Sequence, residues 1–241
     1  MRIIGRIDIK NNFVIKGINL EGLRKIGNPE EIILKYYKEN IDELFIIDAV
    51  ASLYGRNNLF ELIKNITKDI FIPITLGGGI RSLGDIEESL KSGADKVAIN
   101  SKIFENPGFL KSAVKNFGES TIVVNIEAKK MDENHWEPYK YYGRERTKIN
   151  LIDWLNIVQD NGCGEILITS IDQEGTESGL DFNLIKKIYD KISKPLIISG
   201  GCSGENDIIK INKMYKDTSV AVASILHYNK VSIMDLKKNA K

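Results

Sequence analysis

Two carboxylates stand at matching places in this chain, Asp8 in "RIDIK" and Glu127 in "NIEAK". Each closes an apolar run. A carboxylate at the end of an apolar strand is costly unless it is paired or put to work. Two of them facing each other across a ligand could divide general-acid and general-base duty. The competing structural reading pairs each acid with the lysine two residues on, Lys10 or Lys129, because residues two apart on a strand share a face.

A second feature is also doubled. "PITLGGGI" (73–80) and "PLIISGGC" (195–202) are apolar runs that break on glycines. "DKVAINS" follows the first and ends at Ser101, and "TSVAVAS" follows the second and ends at Ser224. Gly78 and Gly79 in one copy, and Gly200 and Gly201 in the other, let backbone N–H groups approach a ligand closely. Asn100-Ser101 and Ala223-Ser224 would add a hydroxyl and the start of the next helix, which favours anions. Glycines of this kind also serve as plain tight turns. Two symmetric copies with matching serines favour two phosphate cradles, and hence a substrate with a phosphate at each end.

Eight short apolar runs must position these groups: 2–9, 43–50, 72–78, 96–100, 121–128, 165–172, 195–201 and 220–225. Rich in Ile and Val and bounded by Gly, Asp or Asn, they read as parallel strands buried on both faces. Amphipathic stretches lie between most of them. "PEEIILKYYKEN" starts on Pro29 after Asn28, a capping residue followed by proline at the first helical position. "LGDIEESLKSG" and "LIDWLNIVQDNG" end on glycine, as helices often do.

Eightfold alternation of strand and helix predicts an α/β fold, a (β/α)8 TIM barrel. An open doubly wound sheet is the alternative, but the chain lacks the G-x-G-x-x-G signature of dinucleotide-binding sheets. "DELFIIDAVAS" is echoed by "GEILITSIDQEG" and "RIIGRIDIK" by "IVVNIEAKK", a twofold half-barrel repeat. The expected organisation is one barrel domain over 1–241, with long loops at 16–28 and 130–150. Loops of that length in compact domains are usually functional, and Trp136, Tyr139, Tyr141 and Gly143 could make a small hairpin of the second. In such a barrel the third and seventh strands lie opposite each other, so the ends of the first and fifth, with Asp8 and Glu127, fall between the cradles.

The formal net charge of +1 argues against a general nucleic-acid binder. No apolar run reaches the ~18 residues of a membrane span. Cys163 and Cys202 have no CxxC partner, so neither a disulfide nor a zinc framework is expected and a reducing cytoplasm fits. No metal or cofactor is expected. His135 and His227 receive no chemical role; Cys202, beside the second cradle, could respond to thiol reagents.

In order along successive strands, "GRIDIKNNFVIKG", "DELFIIDAVAS", "LGGGI", "GADKVAIN", "GEILITSIDQEGT", "SGG" and "VASILH" resemble the cyclase subunit of imidazole glycerol phosphate synthase (HisF) and its paralogues. The resemblance spans essentially the whole chain. It implies a lyase-type cyclase of histidine biosynthesis. Such an enzyme takes ammonia from a HisH-like glutaminase subunit in a heterodimer. It adds that ammonia to a bisphosphorylated ribulosyl aminoimidazole carboxamide, closing an imidazole ring and releasing the carboxamide nucleotide.

By the same resemblance Asp8 is the first catalytic acid. Gly79, Asn100 and Ser101 hold one phosphate, and Gly175, Gly201, Ala223 and Ser224 the other. Lys16 lies on a first loop that closes over substrate. Arg2, Glu43, Lys96 and Glu165, at the starts of four strands, match an ammonia gate of alternating charges, and Asp95 a contact with the glutaminase. The sequence departs from the family at Glu127, where the second acid is an aspartate, and at Asn125 and Glu174. Such changes at the chemical centre raise an alternative, a paralogue that passes ammonia to a sugar amidotransferase of surface-glycan biosynthesis. A HisA-like isomerase that needs no ammonia is a third possibility.

Overall fold

The computed structural model describes residues 1–54 and 59–240. Among the described residues twelve strands occur in chain order. They are β1 (Ile3–Lys10), β2 (Phe13–Ile18), β3 (Glu21–Gly27), β4 (Glu43–Asp48), β5 (Ile74–Gly77), β6 (Lys96–Ile99), β7 (Ile122–Asp132), β8 (His135–Lys140), β9 (Glu145–Arg146), β10 (Glu165–Ser170), β11 (Leu196–Ser199) and β12 (Thr218–Val222).

Eight of them, β1, β4, β5, β6, β7, β10, β11 and β12, pair in parallel with their neighbours. The β7–β10 ladder, with Glu165 opposite Val123 and Thr169 opposite Glu127, completes the circle. Helices lie between the strands along the chain, so the chain is a (β/α)8 barrel, as the alternating pattern predicts. Asn28 accepts hydrogen bonds from the N–H groups of Glu30 and Glu31, and Pro29 opens the helix Pro29–Lys38. Ser82 and Asp85 form a reciprocal capping box at the start of Leu83–Lys91.

The barrel separates two apolar layers. Outward-facing strand residues such as Ile3, Ile46 and Val124 pack with the helices in the main core. Inside the bore, Ile4, Phe45, Ile47, Ala98, Val123, Leu167, Ile197 and Ala221 form a separate cluster. Alternation along each strand decides which residue belongs to which layer.

Segment 16–28, expected to be a long loop, is largely strand, and 130–150 contains the small hairpin that its aromatics and Gly143 suggest. β2 and β3 form an antiparallel hairpin with Ile18 opposite Glu21. Its two turn residues, Asn19 and Leu20, both take positive φ, 53° and 64°. That conformation suits a tight hairpin turn, but leucine is a poor sequence signal for it. β7 runs beyond the barrel to pair with β8, and β8 pairs with β9. Arg146 grips Glu137 through two hydrogen bonds of 2.6 and 2.9 Å within this second insertion.

Candidate active site at the strand ends

Two clefts open where the strands end, one at β5 and β6 and one at β11 and β12. The first is lined by Gly78, Gly79, Asn100 and Ser101, and also by Asn125, Glu127 and Tyr142. The second is lined by Lys16, Glu174, Gly175, Gly200, Gly201, Ala223 and Ser224. The sequence repeat thus becomes a spatial one. A Cβ at Gly78 would stand 2.3 Å from the backbone oxygen of Asp48, and one at Gly200 would stand 2.6 Å from that of Ser170. With φ of 96° and 101°, both positions take glycine for the same reason.

The helices after β6 and β12, Ser101–Glu105 and Ser224–His227, are five and four residues long. Helices this short carry little of the dipole that the sequence reading assigned to them. The groups of the clefts able to donate to an anion are therefore mainly glycine backbone and serine hydroxyls. In the first cleft two of these already have partners: Gly79 donates to Ser52 Oγ at 3.2 Å, and Ser101 Oγ accepts from the Tyr141 N–H at 3.0 Å.

Asp8 and Glu127 end the inward rows of β1 and β7, and both are buried. Neither pairs as the lysine reading expected. Asp8 Oδ1 accepts from Arg6 Nε at 3.1 Å, and its Oδ2 lies 3.9 Å from the Lys16 ammonium. Glu127 Oε2 accepts from the Gly143 N–H at 2.8 Å and from Asn100 Nδ2 at 3.2 Å. The physical reason is that β7 has by then become a hairpin with β8, and Lys129 lies over the Tyr139 ring, 5.9 Å from its centroid.

Burial pushes the Glu127 carboxyl up to about 7, against a smaller pull downward from Arg6 and the Gly143 N–H. The acid therefore exchanges its proton near neutrality, where a general acid or base works best. Burial likewise pushes Lys16 down to about 8, although Asp8 favours its charged form. The Tyr142 phenol, buried beside Asp8, is held well above its usual range by desolvation and by that carboxylate.

Both insertions fold over this end of the barrel. The Asn19 N–H bonds Glu174 O at 2.7 Å, and Asn19 Nδ2 bonds the carbonyls of Ile171 and Asp172. Lys16 is ion-paired with Glu174. The β2–β3 hairpin thereby lies against the second cleft, while Tyr141 and Gly143 close over the first.

At the opposite end, Arg2, Glu43, Lys96 and Glu165 form a closed ring of alternating charge. Arg2 reaches Glu43 and Glu165 at 2.8 and 2.9 Å, and Lys96 reaches the same two acids at 3.1 Å each. Thr75 donates to Glu43 at 2.9 Å, and Arg2 Nε donates to Ser219 at 3.1 Å. Exposed Asp95 accepts from the Ile74 N–H at 2.8 Å, tying down the start of β5. A large surface cavity also opens at this end, around Arg2, Lys194 and Ser219.

Arg6, Tyr142 and Ser52 belong to the site although the sequence reading passed over them. Arg6 carried a signal, for an arginine two residues before Asp8 on an apolar strand must share its face. Tyr142 and Ser52 carried none. His227 is structural: its Nδ1 meets the Tyr36 hydroxyl at 2.6 Å, and burial pushes it down to about 3. His135 lies near Asp132 and Glu137, away from both clefts. Cys163 and Cys202 are free and buried, and burial pushes both thiols up to about 12. The thiolate is the reactive form, so the reactivity suggested for Cys202 is suppressed. No helix among the described residues is long and apolar enough to cross a membrane.

A family model described as histidine biosynthesis protein matches residues 2–232. The imidazole glycerol phosphate synthase subunit HisF of Legionella pneumophila is 49% identical over 201 residues, covering 83% of this chain and 95% of that protein. The HisF subunit of Streptococcus mutans serotype c is 38% identical over 240 residues, covering 100% and 96%. That of Thermococcus onnurineus is 40% identical over 237 residues, covering 98% and 93%. All three relatives carry the name of the same synthase subunit, which gives no support to the sugar-amidotransferase alternative.

Proposed function

This chain belongs to the histidine biosynthesis protein family, and on that premise we propose that it is the cyclase subunit of an imidazole glycerol phosphate synthase. One observation carries the reading. Two buried acids, from strands related by the half-barrel repeat, accompany two glycine-ended clefts: Glu127 lines the first, and Asp8 lies 3.9 Å from Lys16, which lines the second.

A bisphosphorylated ribulosyl aminoimidazole carboxamide spans the clefts, one phosphate in each, with its reacting carbons over the bore. Asp8, ion-paired with Arg6, accepts a proton from the attacking nitrogen. Glu127, whose carboxyl titrates near 7, delivers one to the departing group, and the carboxamide nucleotide leaves as a lyase product. The two insertions exclude water during these steps. Glu127 reaches one methylene further than an aspartate would, and the Gly143 N–H holds the extended carboxylate in place.

In this reading ammonia comes from a glutaminase subunit that docks on the face holding Asp95 and the four-charge ring, and it enters through that ring. The setting is a reducing cytoplasm, in keeping with two buried, free cysteines.

The test uses purified protein, a saturating ammonium salt and the ribulosyl aminoimidazole carboxamide bisphosphate. Formation of imidazole glycerol phosphate that is lost in Asp8→Asn supports the cyclase. Turnover that persists without ammonium identifies an isomerase, and no turnover in either condition refutes the assignment.

A further inference from the structure

Arg6 lies in neither cleft, and its repeat mate on β7 is Asn125, so the half-barrel symmetry breaks at this layer. The side chain points into the bore and is completely buried, between the apolar collar around Ile4, Phe45 and Leu167 and the acids above. It reaches from β1 past the neighbouring β12 to β11 and β10. Nη1 donates to Thr169 Oγ1 on β10 at 2.6 Å and to Ser199 Oγ on β11 at 3.3 Å, while Nε donates to Asp8. The remaining nitrogen, Nη2, has no hydrogen-bond partner among the described residues, and neither has Asn125 Oδ1.

A guanidinium is always charged and cannot shed its proton to lessen the cost of burial. If Arg6 served only to neutralise Asp8, its Nε contact would suffice, and Lys16 also lies 3.9 Å from that carboxylate. Instead the planar head is fixed by three side chains from three strands, which leaves one edge, at Nη2, unpartnered. A donor held this rigidly while unpaired is destabilising until a ligand satisfies it.

We propose that Arg6 is a substrate-binding residue whose Nη2 takes an oxygen on the middle of a chain that bears a phosphate at each end. The matching partner is a hydroxyl or carbonyl oxygen near the central carbon. A hydroxyl also has a proton to give to one of the unpartnered acceptors of the site, Asp8 Oδ2, Asn100 Oδ1 or Asn125 Oδ1. The assignment rests on the two clefts being phosphate sites, and it adds what lies between them: a carbon chain carrying oxygen, not a bare hydrocarbon spacer. A site built to hydrogen-bond a substrate oxygen rejects analogues that lack it, because its own buried donor is then left unpaired.

The experiment compares two probes in a graded length series, α,ω-alkanediol bisphosphates with and without one hydroxyl on the central carbon. Calorimetry measures their binding to the intact wild-type protein, to Arg6→Met and to Arg6→Lys. In the wild type the hydroxylated probe should bind about 10-fold tighter or better, the scale of one charge-assisted hydrogen bond. In Arg6→Met the ratio of the two affinities should fall to about one, whatever the change in each, and Arg6→Lys should recover part of the preference. A merely structural arginine would weaken both probes alike.

Equal binding of the two probes by the wild type overturns the assignment while leaving the phosphate clefts standing, and this holds whether or not the variants fold. A preference that survives in Arg6→Met also overturns it. If neither probe binds at any length, the two-cleft reading fails and the role of Arg6 fails with it.

Discussion

The Gly143 backbone N–H donates to Glu127 Oε2 at 2.8 Å, so an insertion outside the eight-stranded barrel holds one of the two acids inside it. The contact ties acid chemistry to loop position. It also opposes the effect of burial on Glu127, because a hydrogen bond to a carboxylate favours the ionised form.

Gly143→Ala tests that tie. The residue has φ of 75°, and a Cβ there would stand 2.7 Å from Leu20 Cδ1. The expected result is a displaced insertion and a Glu127 pKa above about 7. Turnover should fall roughly 10- to 100-fold, as for ångström-scale misplacement of a reacting group. Steady-state kinetics across pH would show the Glu127 limb moving upward, and an unmoved limb would contradict the arrangement.

The raised pKa of Glu127 has a sign for stability as well. The folded protein holds this proton up to about 7, against 4.5 for the ordinary group. Between those values the native state binds more protons than the unfolded chain, so stability falls as pH rises through that window. The loss attributable to this group is roughly 3 kcal/mol once pH exceeds 7. Glu127→Gln should remove it, making the variant more stable than the wild type at about pH 8 and nearly equal to it well below the window. Urea unfolding at the two pH values measures this, and parallel pH dependences in the two proteins would rule it out.

Asp8→Asn should abolish cyclase turnover and also destabilise the fold. Removing one partner of a buried ion pair typically costs about 3–5 kcal/mol, since the other charge stays buried. The double variant Asp8→Asn/Arg6→Met should regain part of that stability without regaining turnover. A double-mutant cycle in chemical denaturation reports the coupling, and strict additivity would show that the two groups do not depend on each other.

Lys16 should signal occupation of the second cleft. Its ammonium is pushed down to about 8 by burial, and an added phosphate dianion favours the charged form. Binding at about pH 8.5 should therefore take up a fraction of a proton. Calorimetry in buffers of different ionisation enthalpy measures that fraction. It should disappear in Lys16→Met, and an unchanged uptake there would assign the proton to another group.

The charge ring predicts a separation of functions. Lys96→Met breaks contacts at 3.1 Å to both Glu43 and Glu165. Ammonium-dependent turnover should stay within about twofold, because Lys96 lies at the opposite strand ends from the acids. Glutamine-dependent turnover with a cognate glutaminase should fall about 10-fold or more. Equal losses in the two assays would remove the ring from the ammonia route.

Much of this architecture was legible beforehand. Short Ile- and Val-rich runs alternating with capped amphipathic helices yield a (β/α)8 barrel because such strands must be covered on both faces. The doubled glycine phrases located both clefts, since backbone that must pass within 2.3 Å of where a Cβ would lie leaves few alternatives to glycine. The first hairpin was hidden, whereas Trp136, Tyr139, Tyr141 and Gly143 pointed to the second. The strands of the first are partly exposed and weakly alternating, and it turns on Asn19-Leu20 with no glycine to mark it.

The residues of the site, and their order along the chain, were thus set by sequence. Their partners were decided by closure of the barrel. Arg6 and Thr169 are 163 positions apart, yet they meet at 2.6 Å because β1 and β10 face the same bore. No local pattern encodes that meeting, nor the choice of Arg6 over Lys10 for Asp8, or of Gly143 over Lys129 for Glu127. Desolvation is likewise a property of the closed barrel. Only when surrounding strands and insertions exclude water does the Glu127 carboxyl rise to about 7 and a guanidinium become a fixed, incompletely bonded donor.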